Sequence, residues 1–518
     1  MTSWWPLIIT IIYFVIVFAV VRKWAALKHG DSMEDFAVGG RQFKWYMIMF
    51  TVLATWFVGS IYTAFFSYGV LAGTLAQYAT IYTLAGLVLY YYLSPRVWIW
   101  GKVHNLYNMP DFIELRYRDK WLGVVFAIAG IVLGAGWQVI AFKTFGYAFN
   151  EVTYNTLPVW TVGPFTISIG ILVIGIFILW YVVSGGMKSV VITDFVQGVI
   201  SVVIVLVGVV FVAQKLFGGF GEIFREVDRV APQLLVVDGS TYWGGIILAS
   251  ALGSYCWLEI YNRIFIAESV RELKLVARGA PIIATVMTFL LYILAMGGIY
   301  YKGGITDTAG AESAFLVFFS DAGGPLLLAF AAIVIIAAEM SSVDSQLTAL
   351  GVVFGRNIVE KIRNRQHSDK SLLSISRWSI IIWSVIAMFL AMGDLPLLIT
   401  IVIKSYELLT SLFPAIIIGV FWKRANRISV WAGIVVGFTV SIWMSYTPDF
   451  IANLPGYLGG WPAGIYGFAA NLIVFVILSY AFGKQEHVDA LFDEVETYED
   501  EYTARDRAAS NPAPSMAE

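Results

Sequence analysis

The sequence contains few of the residues that bind metals or cross-link a chain. Its single cysteine, Cys256, excludes an intramolecular disulfide and a cysteine-based metal site. Only four histidines occur, all in predicted loops or in the tail, and they form no ligand pair: His29, His104, His367 and His487. Charged residues make up only 13% of the chain. Redox and zinc chemistry therefore have no basis in this sequence, and nothing in it indicates nucleic-acid binding.

Apolar residues are abundant instead. They make up 59% of the 518 residues, and the mean hydropathy is +0.78, too high for a soluble protein of this length. Apolar runs of about 20 residues can cross a lipid bilayer as helices. Thirteen such segments are predicted, at roughly 4–21, 45–69, 75–95, 121–149, 164–186, 189–216, 242–265, 279–300, 324–355, 378–393, 397–421, 428–446 and 462–483. The sequence therefore predicts an all-α polytopic membrane protein.

The distribution of basic residues predicts the orientation. The first segment has none before it but is followed by Arg22, Lys23 and Lys28, the reverse of a cleavable signal peptide. It therefore predicts an anchor with its N-terminus outside, and thirteen spans then place the C-terminus in the cytoplasm. Most other basic residues lie in the predicted inner segments, as the positive-inside rule requires. The predicted outer side has only Lys215, Arg225, Arg229 and Lys302. We expect the protein to lie in the cell (cytoplasmic) membrane.

The segments between and after the spans are polar. The outer stretches 217–241 and 301–323 are long enough for short surface helices. Residues 484–518 begin with an acidic run and end in Ala, Ser and Pro, which predicts a disordered acidic cytoplasmic tail.

The ninth segment carries polar residues where a purely structural membrane helix would carry Leu and Val. They are Glu339, Ser341, Ser342, Asp344 and Ser345. On a helix the three serines share a face with Ala338, and the two acidic residues flank that face. Such an oxygen-rich set suits a hard monovalent cation. The alternative is that these polar groups hydrogen-bond neighbouring helices together.

Five stretches, in this order, resemble the sodium:solute symporter family of sodium-coupled sugar, proline, pantothenate and sialic acid transporters. They are DFAVGGR (Asp35–Arg41), NMPDFIELRY (Asn108–Tyr117), GGMKSVVITDFVQ (Gly185–Gln197), EMSSVDSQL in the ninth segment, and FPAIIIGVFWKRANRISVWAGIVVG (Phe413–Gly437). The resemblance extends from Asp35 to about Gly437.

The resemblance implies a five-plus-five inverted-repeat transporter fold with one extra helix before the repeats and two after. The corresponding boundaries are 1–44 for the N-terminal helix and loop, 45–216 and 242–421 for the repeats, 422–483 for the last two helices, and 484–518 for the tail. In such folds the first helix of each repeat is broken near the midplane. The predicted breaks lie at Leu53–Ser60 and Ala251–Trp257, where Gly59 and Gly253 either permit the break or simply allow close packing.

The family's main sodium site, carried over by motif position, implies carbonyl ligands from Ala54, Phe57 and Ala338 and hydroxyl ligands from Ser341 and Ser342. Uncharged oxygens hold a cation strongly enough to couple and weakly enough to release.

Three further residues correspond to an exit route or second cation site. Asp194 matches the aspartate that the family places on the route of sodium to the cytoplasm. In some members a second site combines it with the positions of Asp344 and Ser345. Asp344 either completes such a site or is a hydrated carboxylate near the inner mouth.

Charges inside the spans suggest roles in coupling. Glu339 departs from the family, which usually has an apolar residue there, and either adds proton coupling or pairs with a lysine. Lys143 and Lys404 either snorkel to the outer surface or face the cavity, where they would favour an anionic substrate. Lys404 is also spaced to pair with Glu407.

Two more charges lie four residues apart in the seventh segment. Glu259 and Arg263 are predicted to form a structural ion pair. The predicted substrate wall combines Tyr255 and Trp257, after the second break, with Trp56 and Ser60 at the first. The family's sugar-site pattern is absent, which leaves the substrate less defined than the cation.

The sequence thus predicts a sodium-driven symporter that imports a small polar organic solute, either an amino acid or a carboxylate. Sodium is the coupling ion, and no other cofactor is expected. The sequence shows no nucleophile paired with a base, no metal-ligand cluster and no phosphate-binding loop, so it does not indicate an enzyme. One alternative is proton coupling, or combined proton and sodium coupling, through Glu339. The other is a solute sensor with a transporter fold that signals through the tail.

Overall fold

The computed structural model describes residues 4–25, 32–156, 160–163, 165–237, 239–365 and 367–510. The predicted inner residue Lys28, the histidine His29 and the last part of the predicted tail, 511–518, lie outside the described residues.

The described residues of the first half form nine α-helices and one hairpin. They are α1 (Trp5–Ala25), α2 (Met33–Val38), α3 (Trp45–Trp56), α4 (Ala64–Ala72), α5 (Tyr78–Val103), α6 (Met109–Tyr117), α7 (Lys120–Val152), the antiparallel strands β1 (Trp160–Val162) and β2 (Phe165–Ile167), α8 (Ile169–Phe217) and α9 (Phe220–Val230).

In the second half, twelve α-helices are formed by the part of the chain that the structure describes. They are α10 (Ser240–Ser254), α11 (Leu258–Phe265), α12 (Val270–Met296), α13 (Thr308–Val353), α14 (Glu360–Arg363), α15 (Asp369–Ala391), α16 (Leu398–Leu409), α17 (Gly419–Phe421), α18 (Arg427–Tyr446), α19 (Pro448–Ala452), α20 (Ala463–Phe482) and α21 (Val488–Ser510).

The helices coincide with the thirteen predicted segments, except that the hairpin takes up the start of the fifth. By length and hydropathy, nine helical stretches among the described residues could cross a membrane, or ten if the bent pair α10 and α11 is one span. Three further apolar helices are shorter: Trp5–Val20, Trp45–Trp56 and Ile169–Val183. The all-α membrane class is therefore confirmed, while the count of thirteen crossings stays a prediction. Helix α9 also confirms the surface helix expected in 217–241.

The fifth and sixth predicted spans join within α8 at Gly186. This residue has a φ of 56° and a ψ of −159°, a conformation that only glycine adopts readily. Helix α2 packs there, since a Cβ at Gly186 would come within 2.6 Å of the Phe36 ring. Lys188 pairs with Asp35 at 2.5 Å beside the same contact. The DFAVGGR and GGMKSVV motifs are thus two sides of one helix junction.

The motif NMPDFIELRY caps the C-terminal end of another helix, α17. Arg116 is fully buried, and its guanidinium donates to the carbonyls of Gly419 at 3.0 Å, Trp422 at 2.8 Å and Ala425 at 3.1 Å. These carbonyls lie in or just after the short helix α17, where they have no helical partner of their own. Arg116 therefore fixes α6 against the start of the last two membrane helices, which is a structural role.

The prediction of a disordered tail is wrong over 488–510, which form α21. Val488, Phe492 and Val495 recur at helical spacing and are buried. The Phe492 ring meets Trp100 edge-on, with centroids 5.2 Å apart. The acidic composition suggested disorder, but this apolar stripe provides a face that docks on the rest of the protein.

The acidic face of α21 meets basic residues of the predicted inner side. Arg96 pairs with Glu499 and lies 3.6 Å from Glu496, while Lys423 lies 3.3 Å from Glu496 and 3.6 Å from Asp493. The negative charge that would favour an extended chain is thus balanced by Arg96 on α5 and by Lys423 between α17 and α18.

Candidate ion and solute site at two broken helices

Helix α3 is interrupted at the predicted first break. It ends at Trp56, and Phe57 and Val58 leave the helical conformation, with ψ values of 60° and 159°. The chain then resumes as a 3₁₀ turn from Gly59 and as α4. Such an interruption frees carbonyls and an amide end inside the protein. The predicted break is confirmed.

The two glycines at the breaks serve close approach. A Cβ at Gly59 would come within 2.6 Å of both the Ile335 carbonyl and the Glu339 Cβ on α13. A Cβ at Gly253 would come within 2.6 Å of the Tyr406 carbonyl on α16. Helices α10 and α11 are bent by 52° at the second break. Both breaks therefore occur where a neighbouring helix touches the broken one.

The five residues predicted for the main sodium site come together where α13 crosses the first break. The Ser342 hydroxyl lies 2.8 Å from the Ala54 carbonyl oxygen and 3.0 Å from that of Ala338. The Ser341 hydroxyl donates to the Ala338 carbonyl at 2.8 Å. All five residues are buried. Four of them, Ala54, Phe57, Ala338 and Ser341, also line a cavity with an empty volume of about 360 Å³. The cluster consists of uncharged oxygens from two helices.

The side chain of Glu339 extends from α13 to the start of the 3₁₀ turn that follows the first break. Its carboxylate accepts a hydrogen bond of 2.9 Å from the Gly59 amide, at the amino end of the 3₁₀ turn that leads into α4. A carboxylate is favoured at such a helix end. Among the described residues no lysine, arginine or histidine pairs with Glu339, so its predicted pairing with a lysine is not observed.

The two lysines inside the spans make other contacts. Lys143 is half-buried and donates to the Gly393 carbonyl at 3.2 Å. Lys404 pairs with Glu407 at 3.0 Å, which confirms that prediction. Neither is among the residues that line the cavities at the breaks.

Arg263 occupies the region of the predicted second cation site. Its guanidinium donates to the Ser345 hydroxyl at 2.7 Å and to the Ser341 carbonyl at 3.3 Å, and it lies 3.9 Å from the Asp194 carboxylate. Thr51 accepts from Arg263 at 3.2 Å and donates a short hydrogen bond to Asp194. These side chains are all fully buried or nearly so.

Asp344 completes this buried cluster. Its carboxylate accepts from Tyr181 at 3.0 Å and lies 3.4 Å from the Ser345 hydroxyl, and the side chain is fully buried. The side chain is thus not exposed, as a hydrated carboxylate near the inner mouth would be. The Arg263 guanidinium pairs with Asp194 and is linked to Asp344 through the Ser345 hydroxyl, in a place where the resemblance predicts a bound cation.

The predicted ion pair between Glu259 and Arg263 is wrong. The helical spacing is correct, but the Arg263 guanidinium turns to Asp194, and among the described residues Glu259 has no ion pair. The packing of the helices brings Asp194, and not Glu259, within ion-pair distance of Arg263, which helical spacing alone cannot predict.

Aromatic residues from four helices form a cluster beside the breaks. The Trp257 ring lies 5.3 Å from Tyr406, 5.4 Å from Trp137 and 6.5 Å from Trp56. Of the predicted substrate wall, Trp56 and Trp257 thus lie together. Tyr255 turns away and hydrogen-bonds Ser94 at 2.9 Å.

A second cavity lies under this cluster, between α7, α11 and α13. It is small, with room for about one water molecule. Its lining includes four polar or aromatic residues that our sequence analysis did not assign to a site: Trp137, Gln138, Glu259 and Gln346. Two signals pointed to it. Gln138 is a lone amide in an apolar span, and Gln346 follows Ser342 by four residues, on the same side of α13.

Comparison with known proteins identifies the family. The model of the sodium:solute symporter family matches residues 36–437. The chain belongs to this family. It is accordingly a transporter and not an enzyme, and it is a multi-pass membrane protein with the inverted-repeat fold.

Several characterised relatives of the symporter transport proline. The present chain is 27% identical over 479 residues to the osmoregulated proline transporter OpuE of Bacillus subtilis (strain 168), and the match covers 90% of this chain and 93% of the relative. It is 26% identical over 500 residues to the high-affinity proline transporter PutP of the same organism, covering 92% and 98%. It is also similar to a solved structure of a Na⁺-coupled sialic acid symporter in a substrate-bound outward-open state, with a TM-score of 0.75 at 15% identity, covering 94% of this chain and 99% of the other. That last similarity concerns the fold alone.

Proposed function

We propose that this protein is a sodium-driven symporter that imports a small polar organic solute across the cell membrane by alternating access. The observation that carries the proposal is the convergence of Ala54, Phe57, Ala338, Ser341 and Ser342 at the first break. Sodium coupling of a small solute accords with the family to which the chain belongs.

The proposed sodium site joins two parts that move against each other in alternating access. The Ser342 hydroxyl already bridges the Ala54 carbonyl of α3 and the Ala338 carbonyl of α13. A sodium ion bound by the same oxygens would tie α3 to α13 more firmly than one hydroxyl can. We infer that sodium stabilises the arrangement in which the solute site is complete, and that its release toward the predicted inner side frees the two helices.

The cluster around Arg263 bears on how many ions are coupled. Its guanidinium already supplies a positive charge between Asp194 and the Ser345 hydroxyl, the groups expected to hold a second cation. We infer that one sodium ion, at the main site, drives each cycle. Asp194 then acts with Arg263 and Thr51 as a buried polar lining of the exit route.

Two alternatives retain specific support. Glu339 is a buried carboxylate at the first break without an ion pair among the described residues, which is the setting for a proton-carrying group. Helix α21 docks on the predicted inner ends of the membrane helices, which is the contact that a tail-signalling sensor would need.

Uptake by the purified full-length protein in proteoliposomes tests the proposal. We expect accumulation of a solute when an inward sodium gradient is imposed, and none when potassium replaces sodium at the same ionic strength. A proton gradient imposed without sodium should not drive uptake. Accumulation driven by the proton gradient alone would contradict sodium coupling and support the Glu339 alternative.

A further inference from the structure

A groove runs along the surface of the helix bundle between α7, α13 and α15. All three helices are long and apolar enough to cross a membrane. The groove has a volume of about 440 Å³, within the range of ligand pockets, and its lining is apolar apart from Ser374 and Ser379. Trp378 and Ile382 on its wall are more than half exposed, so the groove opens toward the surroundings of the bundle. In a membrane those surroundings are lipid chains.

One wall of the groove is a π-helical turn. Helix α13 continues as the π-helical segment Phe354–Val359 before α14 begins. Phe354 and Ile358 of this segment line the groove, while Arg356 pairs with Asp111 of α6 at 3.0 Å. Such turns are rare and are found frequently at functional sites. The ion pair anchors this wall to a neighbouring helix, which keeps the groove formed.

Basic residues gather at the predicted inner end of the groove. Lys120 begins α7 and donates to the Asn364 side chain, just after α14, at 3.2 Å. The lining residue Ile128 lies eight residues further along α7, a rise of about 12 Å. Arg363 and Arg365 flank Asn364 and are exposed. Among the described residues, none of these three basic side chains forms an ion pair.

The acidic residues closest in sequence to this basic rim accept other hydrogen bonds. Asp119 accepts from an indole of α18 at 3.0 Å and caps the start of α7. Glu360 and Asp369 each accept from a backbone amide, at 3.1 and 3.2 Å. The Trp121 ring lies 5.3 Å from the Lys120 ammonium, and tryptophan is enriched at the level of the lipid headgroups. The rim therefore presents three cationic groups at the depth where headgroups lie.

The combination of an apolar groove and a basic rim selects its occupant. In a symmetric pair of copies, the same surface patch faces itself, so a second copy would bring a like-charged rim against this one. An anionic phospholipid brings hydrocarbon to the groove and negative charge to the rim. Basic pockets between membrane helices on the cytoplasmic side bind such headgroups in other proteins.

We propose that the groove between α7, α13 and α15 binds one anionic phospholipid from the leaflet on the predicted inner side. An acyl chain lies along the apolar lining, and the headgroup phosphate is held by Lys120, Arg363 and Arg365. Because the lipid contacts three helices of the folded protein, its binding stabilises the fold. The site does not depend on which ion drives transport.

Lipids with identical chains and different headgroups test this site. Full-length protein purified in a neutral detergent is titrated with dioleoyl phosphatidylglycerol, which is anionic, or with dioleoyl phosphatidylcholine, which is zwitterionic. Native mass spectrometry counts the bound lipids, and thermal unfolding gives the Tm. We expect phosphatidylglycerol to fill one tight site and raise the Tm, and phosphatidylcholine to bind about tenfold more weakly or less. Glycerol 3-phosphate, a headgroup without chains, should have no effect.

Two variants separate the rim from the groove. Lys120→Gln/Arg363→Gln/Arg365→Gln removes the rim charge and should bring the affinity for phosphatidylglycerol down to that for phosphatidylcholine. Ser374→Phe keeps the rim but fills part of the groove from an exposed position, so it should weaken binding of both lipids several-fold. It also decides the matter if the rim variant does not fold.

The matched control is Arg271→Gln/Lys274→Gln/Arg278→Gln. It removes three exposed basic residues of α12, which lie on the predicted inner side but outside the groove. The tight site for phosphatidylglycerol should persist in this variant. Equal losses in the rim variant and in this control would show general attraction to a basic surface and would overturn the proposal.

Three further results would overturn it. One is equal affinity of the wild-type protein for the two lipids. Another is full affinity for phosphatidylglycerol in the folded rim variant or in Ser374→Phe. The third is a dimer in native mass spectrometry that Ser374→Phe dissociates, which would make the groove an interface between two copies of this chain.

Discussion

The guanidinium of Arg263 donates a 2.7 Å hydrogen bond to the hydroxyl of Ser345, one of the groups expected to bind a second cation. Arg263 thus holds a positive charge 3.9 Å from the Asp194 carboxylate, and the same Ser345 hydroxyl lies 3.4 Å from the Asp344 carboxylate. In this protein the chain itself supplies a charge that a second ion would otherwise bring.

Removing that charge should destabilise the protein. Arg263→Met leaves two buried carboxylates uncompensated, which costs about 3–5 kcal/mol when one partner of a buried pair is lost. We expect a clear fall in Tm in thermal unfolding of the purified protein. Adding Asp194→Asn to the same chain should recover part of the loss, because it removes one of the unpaired charges. A double variant no more stable than the single one would show that the pair does not act as a unit.

The role of Glu339 can be separated from proton transfer by one substitution. Glu339→Gln keeps an oxygen that can accept from the Gly59 amide but cannot carry a proton at neutral pH. Sodium coupling at the main site predicts uptake with unchanged sodium and pH dependence. A flattened pH profile, or loss of uptake driven by a proton gradient, would show that Glu339 carries the coupled proton.

Docking of α21 predicts a stabilising tail that transport does not require. A chain truncated after Lys484 loses the burial of Phe492 on Trp100 and the ion pairs of Arg96 and Lys423. We expect a lower Tm with sodium-driven uptake retained. Abolished uptake would favour the sensor or another regulatory role for the tail.

The charged part of that contact has its own control. The double variant Glu496→Gln/Glu499→Gln removes the acidic partners of Arg96 and should lower the Tm. The decrease in Tm should be smaller in high salt, because salt screens partly exposed ion pairs. Asp500→Asn, at an exposed position on the same helix, should leave the Tm unchanged.

A glycine in the second cavity tests whether the solute binds there, beside the predicted wall residue Trp257. Gly134 lines this cavity, and a Cβ built on it meets nothing within 4 Å. Gly134→Val should therefore fold but narrow the cavity, so that the affinity for the transported solute falls several-fold in a binding titration while sodium dependence persists. Gly59→Ala is the contrasting case, because its Cβ would collide with α13 and lower the stability. Full solute affinity in Gly134→Val would place the solute elsewhere.

The sequence predicted those parts of the site that depend on local pattern. Helical periodicity placed Ser341 and Ser342 on one face, and motif position brought them to Ala54 and Phe57. The resemblance predicted the positions of the breaks and left two roles open for Gly59 and Gly253. The structure shows that both glycines allow close packing of a neighbouring helix.

What the sequence could not predict depends on three-dimensional choice. Arg263 had two acidic candidates and took Asp194, since the packing of α3 and α13 decides which carboxylate lies within reach. That choice left Glu259 without an ion pair among the described residues. Helix α21 was missed because composition alone does not show that Val488, Phe492 and Val495 form an apolar stripe, or that the rest of the protein has a surface that buries it.

The central claim is that sodium binds at Ala54, Phe57, Ala338, Ser341 and Ser342 and drives solute binding. The most direct measurement compares solute binding in sodium and in potassium for wild type, for Ser341→Ala/Ser342→Ala, and for the control Ser376→Ala/Ser384→Ala, which removes two buried hydroxyls on α15. We expect a solute that binds tightly only in sodium, with that dependence lost in the first variant and kept in the second. Binding that is indifferent to sodium, or that keeps its full sodium dependence without Ser341 and Ser342, would contradict it.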